Sequence, residues 1–492
     1  MMTAGDTLAL TVRNSLNVTT SIHTHGIFQN GTNFMDGAAS VTQCGIPPGG
    51  SFTYEFVVHQ AGTFWVHSHD HSQSSDGLRA PLVVYDKGQP PIKYDEEILF
   101  SFENWRTVTV AERLALVLDP TKPFPPPNGV MFGLINGING NYTRPINFQP
   151  GKTYRLRLIN MSSVMWFQFS LSGHIMRVIE IDGEYTEPLE VDGVDMAPAQ
   201  RYSVLVTAHS TSSFNYRYNA TMYASFFPAE PGLSPRIFIG DVVYKQDAPF
   251  IQPGSYGNAF RWAKDIELHA LDQTPALPVG RSLELIIGIN LHSNGQHLFN
   301  LNNIAYAPPL TPTLYTALSM GNMSADERVY GLQVHAVVLK HHEVVELVIH
   351  NRAPTPHPIH LHGHMFQITE YGPSDPLGSN NVTAIPVVKN TVVPARRDTV
   401  VVDVQQYVKL RFRADNPGVW LLHCHMDVHF AMGLAMTFIV APDVLQRTQH
   451  IPPEMLAQCA KQGIKTTGNA AGNQGLNLTG LPVMPTIVLN TT

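Results

Sequence analysis

The stretch from His423 to Gly433, HCHMDVHFAMG, places one thiol between two imidazoles and adds a third imidazole five positions after the sulfur. In an extended strand successive side chains point to opposite faces, so Cys424 faces one way while His423 and His425 face the other. The sulfur and the two flanking imidazoles therefore serve different metal ions. Each face of the strand needs further ligands from elsewhere in the chain.

A second histidine-rich segment, HPIHLHGH, supplies such ligands. His360 and His362 repeat the i, i+2 spacing, whereas His357 stands apart and can join Cys424 and His429. One thiolate with two imidazoles is the ligand set of a blue copper electron-transfer centre. The two segments together predict one site of this kind beside a histidine site.

Two further His-x-His pairs lie near the N-terminus, and the four pairs give eight imidazoles: His23, His25, His67, His69, His360, His362, His423 and His425. Eight imidazoles suffice for three coppers, and imidazole-bound redox metals are typical of O₂ chemistry. Random placement of 23 histidines among 492 residues would give about one such pair, whereas six are present when overlapping pairs are counted. A single pair is more often a surface or core feature, but this set indicates metal binding.

Composition narrows the fold class and the possible partners. A chain of 492 residues with 43% apolar and only 14% charged residues is typical of several densely packed β domains. The net charge of −7 and the lack of a long basic run argue against nucleic acid and anionic membrane surfaces as partners. No apolar run is long enough for a membrane span.

Alternating apolar and polar residues predict half-buried strands at 7–12, 154–158 and 408–412, and turn clusters such as PPGG and QPGK separate them. Many short strands with frequent turns favour β-sandwiches. Three similar stretches, PPGGSFTYEF, QPGKTYRLRL and QQYVKLRFRA, indicate repeated domains, and only the first and third lead into histidine pairs. We predict domains at 1–88, 89–264 and 265–492, with the metals shared by the outer two and the middle domain acting as spacer and substrate wall.

The metal-binding segments resemble the four copper signatures of the multicopper oxidases, in particular fungal laccases and fungal iron-uptake ferroxidases. They read IHTHGIFQNGTNFMDGAASVTQCGIPPGGSFTYEF, GTFWVHSHDHSQSSDGLRAPLVVYD, HPIHLHGHMFQI and ADNPGVWLLHCHMDVHFAMGLAMTF. The resemblance runs from about Gly5 to the stretch GNAAGNQGLNLTG and implies an all-β chain of three consecutive cupredoxin-like Greek-key β-sandwiches. Relatives begin with a signal and further strands, so we expect the first domain to be truncated at its N-terminus.

The resemblance also implies four copper ions. His23 and His360 should bind the lone type 2 copper, and His357, Cys424 and His429 should bind the type 1 copper. The paired type 3 coppers should take the other six imidazoles: His25, His67, His69, His362, His423 and His425.

The axial position of the type 1 copper, ten residues after Cys424 in relatives, is Leu434, which cannot coordinate. Loss of a thioether ligand favours the reduced metal, so we expect a relatively high type 1 potential. Met432 and Met436 are the rival axial ligands; core packing is the simpler interpretation of both.

Reduction of O₂ to water consumes four electrons and four protons, so acids should lie near the histidine cluster. Asp76 in SSDG and Asp427 in HCHMD match positions where relatives carry an acid. Each could instead orient a ligand imidazole, and the two roles are compatible.

The reductant should donate electrons through His357, and two substrate classes remain open. A ferroxidase needs carboxylates that bind Fe²⁺. Glu180 in EIDG matches one such acid by resemblance, but the acid expected four residues before His357 is Ala353, and another is replaced around 288–290. The usual laccase carboxylate is also absent from 162–166.

We therefore interpret the chain as a laccase-type oxidase that oxidises phenolic or other aromatic reductants one electron at a time with O₂ as acceptor, in phenol coupling to pigments or secondary metabolites. Glu180 is then the expected proton acceptor. A ferroxidase is the alternative. A copper-storage protein without turnover would have little reason to keep Cys424 between His423 and His425.

Nine Asn-x-Ser/Thr sequons indicate a glycosylated secretory product: Asn17, Asn30, Asn141, Asn160, Asn219, Asn322, Asn381, Asn477 and Asn490. By resemblance, Cys44 and Cys459 should form a disulfide between the first domain and the tail; two buried free thiols are the alternative. No signal peptide is recognisable in this sequence. We expect a secreted monomer.

Overall fold

The computed structural model of the chain describes residues 1–122, 129–139, 143–224, 236–251, 260–374, 386–482 and residue 487. Strands dominate these residues, and the longest helix among them has nine residues. The all-β prediction is confirmed. The strands divide into three groups along the chain, each with its own pair of sheets.

The first group comprises β1 (Met2–Thr3), β2 (Thr7–Arg13), β3 (Ile22–His25), β4 (Ser51–Val57), β5 (Gly62–Ser68) and β6 (Arg79–Tyr85). One sheet has the order β1-β6-β5-β3, and β2 pairs with β4. Strand β2 alternates exposed and half-buried positions along its whole length, as its sequence TLALTVR predicts. His23 and His67 are opposite each other in the β3–β5 register, so two distant histidine pairs become neighbours.

The second group comprises β7 (Glu96–Arg106), α1 (Val110–Val117), β8 (Met131–Ile135), β9 (Ile138–Asn139), β10 (Ile146–Asn147), β11 (Thr153–Asn160), β12 (Trp166–Leu171), β13 (Met176–Ile181), β14 (Glu184–Val191), β15 (Gly193–Met196), β16 (Arg201–Thr207), β17 (Tyr216–Tyr223) and β18 (Arg236–Val243). Its sheets have the orders β14-β13-β16-β11-β7-β8-β9 and β10-β18-β17-β12-β15. Their facing apolar side chains form a core in which Tyr154, Phe167 and Val204 are fully buried. This sandwich carries no His-x-His pair.

The third group comprises β19 (Arg281–Leu291), β20 (His297–Leu301), α2 (Thr313–Ser319), β21 (Ala336–Leu339), β22 (Glu343–Asn351), β23 (His357–Leu361), β24 (Phe366–Pro373), β25 (Val388–Lys389), β26 (Arg396–Arg397), β27 (Thr399–Val402), β28 (Gln406–Ala414), β29 (Gly418–Cys424), α3 (Asp427–Ala431), β30 (Ala435–Val440), α4 (Pro442–Thr448) and α5 (Pro453–Lys461). One sheet runs β20-β19-β22-β28-β24-β25, with β26 on β24, and the other runs β21-β30-β29-β23-β27. Every residue of β23 and β29 is buried, because both strands lie inside the second sheet.

The first and third sandwiches share a core. The side chain of Asn33 donates to the carbonyl of Val419 at 3.0 Å and accepts from the Val419 amide at 2.9 Å, which fixes the first sandwich against β29. Cys44 and Cys459 form a disulfide, as expected from the resemblance, and both lie in an apolar cluster built from the two sandwiches. The histidine-bearing strands of the two sandwiches are therefore held face to face.

The sequons differ in accessibility. Asn160 is fully buried, and its amide donates to the carbonyls of Met165 and Met196, so a glycan cannot be attached there in the folded protein. Asn219 is half-buried, and the exposed sequons are Asn17, Asn30, Asn322 and Asn477. Asn141, Asn381 and Asn490 lie outside the described residues. Within the described ranges, no helix reaches the length and apolarity that a membrane crossing needs.

Replacing Cys44 and Cys459 together with serine should lower the free energy of unfolding by about 2–5 kcal/mol, because the unfolded chain then recovers the freedom that the crosslink removes. The bond joins residues 415 positions apart. Thermal unfolding under non-reducing conditions measures the change, and wild-type protein with reduced and blocked thiols is the control. An unchanged melting temperature in both samples would contradict the stabilising role.

Candidate metal centres

Eight imidazoles meet at the contact between the first and third sandwiches; we call them the histidine cluster. They come from the ends of β3 and β5 on one side and of β23 and β29 on the other: His23, His25, His67, His69, His360, His362, His423 and His425. All are buried, at no more than 8% exposure. The rings of His23 and His362 stack at 4.0 Å between centroids, and those of His25 and His360 at 3.8 Å. Each stack joins one ring from each sandwich, so neither sandwich can form the cluster alone.

One nitrogen of each ring in the cluster is placed for a metal. The Nε2 of His423 lies 3.3 Å from the Nε2 of His69 and 3.2 Å from the Nε2 of His362. Other ring nitrogens are buried without a hydrogen-bond partner: His23 Nε2, His25 Nδ1, His67 Nε2, His360 Nε2 and both nitrogens of His425. Buried polar atoms are rarely left unpaired, so these lone pairs fit metal ions.

Four groups of three possible ligands in the cluster have their donor atoms within 4.8 Å of one another: His23 with His360 and His362, His23 with His25 and His67, His69 with His362 and His423, and His25 with His360 and Asp398. These groups share members, so the cluster offers sites for several closely spaced ions. Imidazole nitrogen suits copper among the redox metals.

The outward nitrogens of four rings are fixed by backbone carbonyls. The Nδ1 of His23 donates to the carbonyl of Asp36 at 2.7 Å, and the Nδ1 of His360 donates to that of Asp398 at 2.9 Å. His67 and His423 donate in the same way to the carbonyls of the residues that follow them, at 3.0 and 2.9 Å. A carbonyl only accepts, so Nδ1 carries the proton and the Nε2 lone pair faces the cluster.

Burial favours the neutral form of six cluster rings. It is the largest cause that lowers the pKa of His25, His67, His69, His423 and His425 well below the usual value for histidine. Burial likewise lowers the pKa of His362 to about 3. Neutral imidazole is the form that binds metal, so burial favours a metal ion over a proton at these six rings.

Two buried aspartates that sequence reasoning missed connect the ligands in pairs. Asp36 Oδ2 lies 2.9 Å from the Nδ1 of His362, and Asp36 Oδ1 lies 3.3 Å from the Nδ1 of His23. Asp398 Oδ1 lies 3.2 Å from the Nε2 of His25 and 3.5 Å from the Nδ1 of His360. Each carboxylate thus touches one expected type 2 ligand and one expected type 3 ligand. The first aspartate was detectable in principle, because its MDG sequence lies inside the first copper signature.

A separate trigonal site lies on the other face of β29. The Sγ of Cys424 is 3.5 Å from the Nδ1 of His357 and 3.8 Å from the Nδ1 of His429, and the two nitrogens are 3.1 Å apart. The structure therefore brings together the three predicted type 1 ligands. Burial raises the pKa of the Cys424 thiol, so a thiolate here needs the positive charge of a metal beside it.

The backbone at Cys424 joins the trigonal site to the histidine cluster. The flanking residues His423 and His425 are both cluster members, and the Nδ1 of His423 also donates to the Cys424 carbonyl at 2.9 Å. Two parallel connections, one covalent and one through this hydrogen bond, therefore link the sulfur to the cluster. The alternation of side chains along an extended strand, predicted from HCH, produces this arrangement.

Leu434 occupies the position beside the sulfur that the sequence predicts for the axial residue. The amide of Cys424 donates to the carbonyl of Leu434 at 3.0 Å, which continues the β29–β30 register by one pair. Opposite residues of an antiparallel pair place their side chains on one face, about 5 Å apart. Met436 lies two residues further along β30, opposite Leu422, so Leu434 is nearer to Cys424 in the register.

Phe299 and Thr355 complete the surroundings of the trigonal site and were not predicted. The ring of Phe299 packs against His429 and His357, at centroid distances of 4.3 and 5.2 Å. The Oγ1 of Thr355 lies 3.3 Å from the Nε2 of His357. The apolar ring and the hydroxyl together orient the two imidazoles around the sulfur.

The two acids expected near the cluster have different surroundings. The hydroxyl of Ser75 donates to Asp427 Oδ2 at 2.6 Å, and burial raises the pKa of Asp427 to about 6. Asp76 instead accepts the amide of Val110 at 2.8 Å, at the first turn of α1. Burial also raises the pKa of Asp76, so the proton-donating role stays a prediction for both acids.

The structure contradicts the expected role of Glu180 as a proton acceptor. Its carboxylate is 1% exposed, accepts the amide of Thr63 at 2.7 Å, and is bonded to Arg155 and to the hydroxyl of Ser203. Burial alone would raise its pKa, but Arg155 and the other partners hold the pKa of Glu180 at about 2. A carboxylate saturated in this way joins the first two sandwiches and cannot take up a proton from a surface substrate.

Comparison with known proteins agrees with this geometry. Family models described as multicopper oxidase match residues 1–89, 102–232 and 306–444. The iron transport multicopper oxidase fetC of Epichloe festucae is 38% identical over 482 residues, which are 95% of this chain and 75% of the relative. The iron multicopper oxidase fer1 of Mycosarcoma maydis is 37% identical and covers 98% of this chain and 82% of its own length.

Solved structures give the same result for the fold. The crystal structure of Fet3p, a multicopper oxidase that functions in iron import, superposes with a TM-score of 0.88 at 31% identity and covers 99% of this chain and 93% of that one. The laccase from Botrytis aclada superposes with a TM-score of 0.76 at 27% identity and covers 94% and 86%. The three-sandwich architecture expected from the resemblance is confirmed.

Replacing Cys424 with serine should remove the intense visible thiolate band and one copper ion per chain, because a hydroxyl does not replace a thiolate as a copper ligand. Copper analysis and the optical spectrum measure both effects. Met432→Leu is the matched control, since it keeps the core volume and should leave the band unchanged. A shifted band in Met432→Leu would identify Met432 as the axial ligand instead of Leu434.

Replacing Asp427 with asparagine should remove an ionisation near pH 6 from the pH profile of O₂ consumption. The carboxyl holds its proton below its pKa of about 6 and has lost it above, so the wild-type rate should fall as the pH rises through this value. The hydrogen bond from Ser75 lowers this pKa, so Ser75→Ala should move the midpoint to higher pH. Ferrocyanide as reductant keeps the donor free of protons, and an unchanged profile in Asp427→Asn would exclude the role.

Proposed function

Since the chain belongs to the multicopper oxidase family, we propose that it uses four copper ions to oxidise ferrous iron at the trigonal site and to reduce O₂ to water at the histidine cluster. The relatives named for iron transport support this substrate, because they are 33 to 38% identical over 92 to 98% of the chain. The laccase structure is less similar, at 27% identity. This reverses the preference drawn from the sequence alone.

Bound copper would supply the one-electron steps that couple a single-electron donor to the reduction of O₂. His357, Cys424 and His429 would hold the type 1 ion, and the histidine cluster would hold the other three. Cys424 then shares one backbone with His423 and His425, so the entry site and the O₂ site need no mobile carrier between them. The raised pKa of Asp427 supports a proton-donating role on the cluster side.

The observation that carries the choice of ferrous iron is an acidic pair, Asp195 of β15 and Asp403 after β27. His357 is opposite Val402 in the β23–β27 register, and Asp403 is the next residue. The side chain of Asn351 donates to the carbonyls of both Thr355 and Val402, at 2.8 and 2.9 Å, and so holds the loop before His357 against the end of β27. Asp403 therefore directly follows the residue that pairs with the type 1 ligand His357.

Asp195 faces Asp403 from the second sandwich. Burial raises the pKa of Asp195, hydrogen bonds from Tyr223 and Gln168 lower it, and the nearby charge of Asp403 adds to the rise. The Oδ1 of Asp195 is buried without a hydrogen-bond partner, and among the described residues no lysine or arginine lowers the pKa of either acid. Two carboxylates without a compensating cation attract a divalent ion such as Fe²⁺.

A small aromatic reductant remains the second candidate, and specific observations favour it. Ala353, four residues before His357, brings no carboxylate to the site, and the Nε2 of His357 contacts the hydroxyl of Thr355 instead. Phe299 adds an apolar ring against both type 1 imidazoles. Uncharged and partly apolar surroundings of the electron-entry site suit a phenol more than a hydrated cation.

Other properties are proposed on the same basis. The disulfide between Cys44 and Cys459 and the exposed sequons support a glycosylated protein of the secretory pathway. The monomeric state stays a prediction.

Asp403→Asn should raise the KM for Fe²⁺ about threefold to tenfold, since it removes one charge close to the entry site, and should leave the KM for a bulky diphenol nearly unchanged. Steady-state O₂ consumption with each reductant measures both. Asp443→Asn, an exposed acid on α4, makes the same charge change away from the site and is the control. A kcat/KM higher for the diphenol than for Fe²⁺, with no effect of Asp403→Asn, would establish the aromatic reductant instead.

A further inference from the structure

The guanidinium of Arg201, the first residue of β16, lies where all three sandwiches meet. Its Nε donates to the carbonyl of Thr63 in β5 at 3.0 Å, and two of its other N–H groups donate to the carbonyls of Ala199 and Asp182, at 3.1 and 2.9 Å. The remaining two N–H groups bind Asp398 of the third sandwich. All five donors of this fully buried side chain are therefore used, and they reach all three sandwiches.

The contact with Asp398 is a bidentate ion pair. Nη1 donates to Oδ1 at 2.8 Å and Nη2 to Oδ2 at 2.7 Å. The planar fork of arginine matches a carboxylate in this geometry and fixes its orientation, which the single ammonium of lysine does not. The oriented Asp398 in turn contacts His25 and His360, which are ligands from two different sandwiches.

Gly26 gives independent evidence that the Arg201–Asp398 ion pair packs against the backbone next to the ligand His25. A Cβ at this position would lie 2.6 Å from the Nη2 of Arg201 and 2.9 Å from the Oδ2 of Asp398. The residue also has a φ of +88°, which favours glycine. Because residue 26 has no side chain, the ion pair can lie directly against the backbone after His25.

The second aspartate of the cluster is held differently. Asp36 bridges His23 and His362 as Asp398 bridges His25 and His360, but among the described residues it forms ion pairs with histidines alone. One half of the cluster is therefore connected to the middle sandwich through a guanidinium, and the other half is not. Within the described ranges the middle sandwich supplies no ligand, but its Arg201 binds Asp398, which in turn contacts two cluster imidazoles.

We propose that Arg201 is a positioning residue for the histidine cluster, through which the middle sandwich sets how firmly the type 2 copper is retained. Arg201 holds Asp398 in one orientation, and Asp398 orients the imidazoles of His25 and His360. The type 2 copper would have only two imidazoles, His23 and His360, so it depends more on the orientation of His360 than the type 3 pair depends on His25. The trigonal site lies on the other face of β29, so we expect a loosened Asp398 to leave its three ligands in place. The inference rests on the copper cluster and is independent of which reductant the enzyme oxidises.

Arg201→Lys tests the proposal, because it keeps the charge and removes the fork. The expected result is that the chelator concentration that removes half of the type 2 copper falls at least about tenfold, because a change to a residue that orients a metal ligand typically weakens metal affinity by this much. The type 2 EPR signal should weaken or change its hyperfine splitting, while the visible type 1 band stays at wild-type intensity. Melting of the copper-free protein records the separate effect on the fold.

Arg155→Lys is the matched control. Arg155 is equally buried in the middle sandwich and is paired with Glu180, but it contacts no ligand histidine. Its variant should lose stability without a selective loss of type 2 copper. If Arg201→Lys retains type 2 copper as the wild type does, or loses all coppers in proportion to unfolding as Arg155→Lys does, the positioning role is overturned.

Gly26→Ala provides a second variant in case Arg201→Lys does not accumulate. The added methyl group would push the ion pair away from the strand of His25, so the same selective loss of type 2 copper is expected. Normal type 2 retention in a folded Gly26→Ala protein would also contradict the proposal. Loss of the reductant preference with normal copper content would instead bear on the proposed function alone.

Discussion

Buried imidazole nitrogens without protein partners are the constraint on which the rest of the structure depends. Five of the eight cluster rings carry such a nitrogen, and the Nε2 atoms of His69 and His362 each lie within 3.3 Å of the Nε2 of His423. Buried acceptors without a hydrogen-bond partner destabilise a fold. The surrounding chain must therefore hold these nitrogens in place until a metal ion binds them. Backbone carbonyls fix four of the rings, and two aspartates fix others in pairs. The interface between the outer sandwiches is therefore arranged to bind metal cations, whose positive charge the polypeptide does not provide.

The middle sandwich has an electrostatic role in this arrangement as well as a structural one. Arg201 of the second sandwich forms a buried ion pair with Asp398 of the third, and Arg397 of the third forms one with Asp182 of the second. Breaking such a pair leaves an uncompensated buried charge, which destabilises a protein far more than the loss of a surface pair. The orientation of the outer sandwiches, and with it the spacing of the ligands, thus depends on residues that bind no metal.

Local patterns predicted which histidines the structure brings together, because the period of a strand is short. The alternation in His423-Cys424-His425 separates the two sites whatever the rest of the fold does, and the disulfide followed from the resemblance. Asp398 and Arg201 could not be found in this way, since they lie 197 positions apart and Asp398 lies 373 and 38 positions from His25 and His360. No spacing rule connects residues so far apart. Glu180 shows that a recognised motif can still be misinterpreted. Its EIDG sequence was identified, but the sequence alone does not show that the side chain points inward to Arg155. Which surface acids stand beside His357 likewise depends on how separate sandwiches meet.

The order of the ligands along the chain has a consequence for biogenesis. Half of the cluster rings precede residue 70 and the other half follow residue 359, and Cys459 lies beyond all of them. Synthesis is directional, so the early histidines emerge long before their partners exist. Metal delivered during translation would meet only half of the ligands of the cluster, and an incomplete ligand set binds metal weakly and unselectively. Copper loading must therefore follow the synthesis of the whole polypeptide. Formation of the disulfide by Cys459 can then stabilise a cluster that already holds its metal ions.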